Sequence, residues 1–282
     1  MDHVFGSTEV PADPQRIVVA GRRGVLSILL DLGLEPVGAL DQSSVYDQPF
    51  HPLLDDRIEA IEIEPIAPGD SGPNLEQVAA LQPDLIIGAS VDFADVEPLM
   101  SEIAPTVGIA YNFGDPSANV VQVAEVFGLE ERGEELVSEF GDAVESARNR
   151  VADARTVSLV LPLQDGFRLY RNNHLVGDLI ERLGGTVVPT EEELPPEVGT
   201  LYNTVSLERA DLISSDGAIL YVNTGSESAD LLAQFLDSPV IENSPAIQNE
   251  AFIEIDPQLV FGTAGLTGMR LVLEQVADFL AS

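Results

Sequence analysis

The sequence predicts an α/β fold of two lobes joined by a single long helix. Three observations carry this reading. Short β-branched runs alternate with helical stretches in both halves of the chain, a stretch of helical spacing without Pro separates the halves, and one Glu-to-Asp spacing recurs in each half.

The elements run in order. Arg16-Ile17-Val18-Val19-Ala20-Gly21 is an apolar run closed by Gly, the pattern of a buried strand. Val25 to Leu32 predicts a helix stopped by Gly33, and Leu34 to Leu40 a second strand. Strand–helix–strand in so few residues marks a parallel α/β layer. Asp41 to Gly72 holds four Pro and many acids and reads as irregular. Asn74 to Leu81 predicts a helix, Asp84 to Gly88 a strand, Phe93 to Ile103 a helix, Thr106 to Ala110 a strand and Asn119 to Phe127 a helix stopped by Gly128. Leu129 to Ala154 carries Leu136, Phe140, Val144 and Val151 at helical spacings. It predicts a helix of roughly 24 residues, about 36 Å long, which suits a rod between lobes.

The alternation then restarts. Thr156 to Leu161 and Phe167 to Tyr170 predict strands, His174 to Leu183 a helix ended by Gly184-Gly185, and Thr186 to Val188 a strand. Thr190 to Gly199 reads as a Glu/Pro-rich loop, Leu207 to Ile213 as a helix, Ala218 to Val222 as a strand and Ala229 to Leu236 as a helix. Phe252 to Ile255 and Thr263 to Leu280 close the chain as strand and helix. The domain reading is an N-terminal lobe over 1–128, a connecting helix over 129–154 and a C-terminal lobe over 155–282.

Composition removes several chemistries. The 282 residues carry 48 acids against 13 bases, a net charge of −35, and every base is Arg. A chain this acidic repels phosphate backbones, so nucleic acid is excluded as a partner. Without Lys there is no P-loop lysine and no Schiff base to pyridoxal phosphate. Without Cys there is no thiolate nucleophile, disulfide, Cys-bound zinc or iron–sulfur cluster. No apolar run reaches the roughly 18 residues of a membrane span. The first residues lack the charged and apolar regions of an export signal, so any signal or lipid anchor is expected to lie in a segment outside this sequence.

The recurring spacing is specific. Leu75-Glu76 leads to Asp84-Leu85-Ile86-Ile87, and Leu207-Glu208 leads to Asp216 and Ala218-Ile219-Leu220. Glu and Asp stand eight residues apart both times, and a capping residue, Asn74 or Ser206, precedes each Leu-Glu pair. Each Glu is thereby expected at the second position of a helix, where the helix dipole favours an anion.

These stretches, with Pro14 to Val19, Leu32 to Gly38 and Ile103-Ala104-Pro105-Thr106-Val107, resemble the helical-backbone class of ABC-transporter substrate-binding proteins. That class binds ferric siderophores, cobalamin and haem, and the resemblance runs over most of the chain. It implies a receptor and not an enzyme: two Rossmann-like lobes on a single long backbone helix, with a ligand cleft between them. It implies that Glu76 and Glu208 dock onto the permease of an ABC importer. It also implies an extracytoplasmic monomer, in the periplasm or on the outer face of the cytoplasmic membrane, whose ligand is an iron(III)–siderophore complex and which needs no cofactor. A haem or cobalamin receptor of the same fold is the alternative.

Ligands of open α/β sheets sit beyond the strand ends. That rule nominates Arg22, Arg23, Tyr46, Ser90 and Tyr111 in the first lobe, and Arg171, Asn172, Tyr221, Asn223 and Phe261 in the second. Guanidinium groups offer forked donors to carboxylate, catecholate or hydroxamate oxygens and stack on flat rings. His3, His51 and His174 are scattered, with His3 in the N-terminal tail, so the protein is not expected to ligate a metal. The rival of another class is a phosphate- or nucleotide-binding α/β enzyme, with Gly21-Arg22-Arg23-Gly24 as the anion cradle and Asp41 as its acid. No G-x-S-x-G, H-E-x-x-H or G-x-G-x-x-G pattern supports that rival.

Overall fold

The β-branched runs of the first half become strands of a parallel sheet, and those of the second half enter a mixed one. The computed structural model describes residues 1–22, 24–46, 48–112, 114–151, 155–195, 200–214, 216–221, 226–256, 259 and 265–282, with the backbone alone at 45, 46 and 226–229. The chain divides into two units: Met1–Phe140 with Phe261–Met269, and Gly141–Val260 with Arg270–Ser282. Among the described residues no helix is long and apolar enough to cross a membrane.

The first unit opens with a small antiparallel hairpin, β1 (Asp2–His3) and β2 (Gly6–Ser7). His3 is therefore not in a loose tail. Its Nδ1 accepts from the Gly108 amide at 3.3 Å, and Phe5 packs edge-on against Phe93. The sheet holds β3 (Ile17–Val19), β4 (Gly38–Leu40), β5 (Glu64–Ile66), β6 (Leu85–Ala89) and β7 (Thr106–Ile109). Their order is β5-β4-β3-β6-β7 and every pairing is parallel. β5 lies in the stretch expected to be irregular. Its Pro65 pairs with Ala39 on an edge strand, where a missing N–H leaves no ladder bond unmade.

Helices Val25–Asp31 and Leu75–Ala80 form where the periodicity places them. Pro116–Val126 begins earlier than expected, because Pro116 takes the first position and Asp115 caps the Ala118 amide at 3.1 Å. The expected helix over Phe93 to Ile103 shrinks to Glu97–Ser101. Pro98 has no N–H to donate, so a helix tolerates it in its first turn and not in the interior. Beneath the sheet, Val18, Ala20, Ile66, Val78, Ile86, Phe93 and Met100 form one apolar cluster.

The long helix is Glu130–Arg148, 19 residues and about 28 Å, shorter than the expected rod. Its end tightens into short-range bonds, Arg150 N to Ala147 O at 3.0 Å and Val151 N to Arg148 O at 3.2 Å. The boundary between units falls inside it, after Phe140.

The second unit contains β8 (Thr156–Leu163), β9 (Gly166–Tyr170), β10 (Thr186–Val187), β11 (Tyr202–Ser206), β12 (Ala218–Tyr221) and β13 (Phe252–Ile255). The order is β11-β9-β8-β12-β13, with β10 also on β8. β10, β12 and β13 run parallel to β8 or to one another, whereas β9 returns antiparallel to β8, and β11 antiparallel to β9. β11 is not among the expected strands. Its polar, half-exposed edge sequence YNTVS lacks the apolar run that marks the others. Leu207–Leu212 is a 3-10 turn with a non-helical Arg209, not the α-helix expected there.

The two Asp residues of the recurring spacing do the same job. The Asp84 carboxylate accepts from the amides of Gln15 and Arg16 at 2.8 and 2.9 Å, just before β3. The Asp216 carboxylate accepts from the Thr156 hydroxyl at 2.8 Å and its amide at 3.3 Å, at the start of β8. Each Asp thus ties the entry of one central strand to the entry of its parallel neighbour.

Candidate functional site

In the first unit, three nominated residues converge on one sheet edge. β3, β6 and β7 are adjacent and parallel, so their carboxyl ends lie side by side and lead into Arg22, Ser90 and Tyr111. Arg22 is exposed, and its amide donates to the Asp92 carboxylate at 2.9 Å. That carboxylate presses on Gly21, where an added Cβ would stand 2.6 Å from Asp92 Oδ2. Gly21→Ala must displace Asp92 and loosen the Arg22 turn. The expected loss is about 1 kcal/mol, at the low end for overpacking because a side-chain tip can yield; chemical denaturation measures it, and an unchanged midpoint would refute the contact.

Ser90 is buried at the start of a 3-10 turn after β6. Tyr111 is half-buried. Its neighbour Asn112 is fixed by a reciprocal pair: the Asn112 amide donates to Asn119 Oδ1 at 2.8 Å, and Asn119 Nδ2 donates to Asn112 O at 2.9 Å. Tyr46 ends the short helix Ser43–Tyr46 after β4, and its side chain lies outside the described residues. Arg23, Asn223 and Phe261 lie outside them too.

The second unit corrects the reading of its strand ends. Arg171 and Asn172 are nominated as the end of β9, but β9 runs against β8. Tyr170 pairs with Leu159 in the middle of β8, so Arg171 and Asn172 do not lie at the carboxyl edge. Arg171 is 5% exposed and turned inward. Its Nη2 donates to Leu194 O at 2.8 Å and also to Asn203 Oδ1. Asn203 Nδ2 in turn donates to Pro195 O at 3.0 Å, so the pair pins the 194–195 segment to β11. Asn172 is exposed and bonded to Glu181 at 3.1 Å.

Tyr221 does end a parallel strand, yet only 1% of it is exposed, so its ring is core and not binding surface. Burial pushes its hydroxyl well above the ordinary range. The hydroxyl shares a hydrogen bond with His174 Nδ1 at 3.3 Å, and both rings pack on Tyr170. His174 is itself buried, which lowers its pKa to about 3 and keeps it neutral.

Sequence reasoning missed Arg168. It stands opposite Leu161, two residues closer to the turn than Tyr170, with its guanidinium 4.4 Å from the centre of the Tyr202 ring. The signal that would have found it is Gln164-Asp165 before Gly166 and between two apolar runs, a two-residue hairpin link that reverses the chain.

The remaining histidines are occupied locally. His51 Nδ1 caps the Leu53 amide at 3.1 Å and His3 Nε2 meets Thr8 Oγ1 at 2.8 Å. Among the described residues no three His, Asp or Glu side chains are grouped to hold a metal ion. Glu76 and Glu208 are both exposed. Glu76 lies in an α-helix capped by Asn74, whose Oδ1 accepts from the Glu76 and Gln77 amides at 3.0 and 3.1 Å. Glu208 lies in the 3-10 turn, and the Ser206 side chain makes no cap bond. The equivalence expected of the two glutamates holds for exposure and spacing but not for helix type.

Comparisons with known proteins place the chain in a family. The family described as periplasmic binding protein matches residues 17–259. A probable siderophore-binding lipoprotein of Bacillus subtilis is 27% identical over 285 residues, covering 98% of this chain and 86% of its own. The iron(3+)-hydroxamate-binding protein FhuD of the same organism is 26% identical over 258 residues, covering 89% and 77%. Among solved structures, Staphylococcus aureus SirA complexed with staphyloferrin B superposes with a TM-score of 0.80 at 21% identity, covering 99% of this chain and 97% of that one. The structural likeness speaks to the fold; the family match covers more than four-fifths of the sequence, and the chain belongs to the periplasmic binding protein family.

Proposed function

We propose that this protein captures a ferric siderophore outside the cytoplasmic membrane and hands it to an ABC importer. The observation that carries the reading is the carboxyl edge of the first sheet. There Arg22, Ser90 and Tyr111 come after three adjacent parallel strands, a donor-rich edge on an otherwise strongly acidic chain. A wrapped iron(III) chelate presents an oxygen shell and an organic skirt, which suit guanidinium donors and tyrosine faces. The relatives named for siderophore and hydroxamate binding support the same cargo. In this reading the chelator supplies every iron ligand and the protein holds the complex by its periphery, with no cofactor of its own.

A titration tests it. The protein has Tyr and no Trp, so quenching of Tyr emission reads ferric chelates directly. Saturable binding of at least one hydroxamate, catecholate or citrate iron(III) complex is expected, with a raised melting temperature. Binding of haem or cobalamin alone would replace the cargo, and stabilisation by nucleotides alone would overturn the receptor reading.

Delivery assigns Glu76 and Glu208 to the permease. Both side chains are exposed, and each sits eight residues before the Asp that anchors its sheet. The Glu76→Ala/Glu208→Ala protein is expected to bind its chelate normally and to lose uptake in a reconstituted importer. Normal transport by this variant would exclude the docking role.

A further inference from the structure

We infer that Arg168, and not Arg171, is the cation the second unit offers to ligand, and that it selects for negatively charged iron(III) chelates; this rests on the siderophore-capture reading above. Strand register sets the two arginines apart. Arg168 pairs with Leu161 of β8 and Thr204 of β11. Leu220 of β12 pairs with Val160, so Tyr221, the last residue of β12, stands level with Leu161. Arg168 therefore comes level with the carboxyl end of a parallel strand, the edge at which open α/β sheets hold ligands. Arg171, beyond Tyr170 and Leu159, does not.

The side chain is arranged for an external partner. Arg168 is half-buried, and the Tyr202 ring beneath its guanidinium strips water from one face and fixes the plane. The Tyr170 hydroxyl lies beside it as a neutral partner. Its Nε is buried with no hydrogen-bond partner among the described residues. Arg57, Arg132, Arg150, Arg182 and Arg209 each sit against a carboxylate. Among the described residues Arg168 has none within ion-pair distance, in a chain with 48 acids for 13 arginines. A partly desolvated cation left without a counter-charge is costly, and an anionic ligand would supply the missing charge through a forked contact.

The experiment titrates wild type, Arg168→Ala, Arg168→Lys and Arg168→Gln with three iron(III) chelates: the citrate complex and a tris-catecholate, both anionic, and a cationic trihydroxamate. Melting curves confirm folding, and Arg168→Gln, shorter than Arg but polar and uncharged, replaces the alanine variant if that one melts early. The anionic chelate that wild type binds should weaken tenfold or more in Arg168→Ala and Arg168→Gln. Arg168→Lys should fall between, and the cationic chelate should change less than twofold. Equal loss for both charges would mean packing and not charge recognition, and loss below twofold for anions would remove Arg168 from the site; either overturns the inference alone. A wild type that prefers the cationic chelate overturns it too. A wild type that binds none of the three overturns the capture reading and the inference with it.

Discussion

Arg171→Ala should lower folding stability by about 2 kcal/mol, read as a shift in the urea midpoint with an unchanged slope. Truncation leaves Leu194 O and Asn203 Oδ1 without their donor, and Asn203 is itself only 6% exposed. Bonds from a charged donor are each stronger than neutral ones, which favours a larger loss. Two effects oppose it. The guanidinium is buried without a carboxylate among the described residues, and its Nε has no partner there, so the variant also sheds a desolvation penalty. Lys reaches as far but lacks the fork, so Arg171→Lys should recover less than half of the loss. An alanine variant as stable as wild type would show that the 194–195 segment does not depend on this anchor, and would reopen Arg171 as a residue kept for ligand.

The contrast between Arg171 and Arg168 shows where sequence reading stops. Periodicity locates Ile17–Val19, Leu85–Ala89 and Gly166–Tyr170 because burial on a pleated sheet leaves a pattern of apolar residues. It says nothing of strand direction. In the first unit the omission does no harm, since every strand of the five-stranded sheet is parallel and every strand end points to the same edge. In the second it moves the nominated cation off the edge, because one two-residue link turns β9 round. Tyr221 fails for another reason. Its position at a strand end is legible, but its burial under Tyr170 and His174 comes from packing between elements that are distant in sequence. The Asp84 and Asp216 anchors are visible in the sequence only as a repeated spacing. Their chemistry, a carboxylate holding the amides at a neighbouring strand's entry, needs the three-dimensional neighbour to be known.

His174 should make the protein acid-sensitive well above the range of its carboxylates. Burial among Tyr170 and Tyr221 lowers the imidazole pKa from 6.5 to about 3, with desolvation as the cause. An unfolded chain takes up this proton as pH falls through about 6.5, whereas the folded one refuses it until about pH 3. The unfolded state thus binds more protons throughout that window, and stability must fall with falling pH there and be fully present above it. The slope approaches 1.4 kcal/mol per pH unit, giving a loss of roughly 2 kcal/mol at pH 5 and roughly 3 kcal/mol at pH 4. His3, lowered chiefly by burial, adds a loss of the same sign, which a substitution at His174 leaves in place. His174→Phe keeps an aromatic ring among the tyrosines but loses the bond to the Tyr221 hydroxyl. It should therefore start less stable at pH 7.5 and lose less stability between pH 6.5 and 4.5. Parallel stability–pH curves for the two proteins would mean that the imidazole is protonated in the folded state, and that Tyr170, His174 and Tyr221 do not enclose it as tightly as their packing indicates.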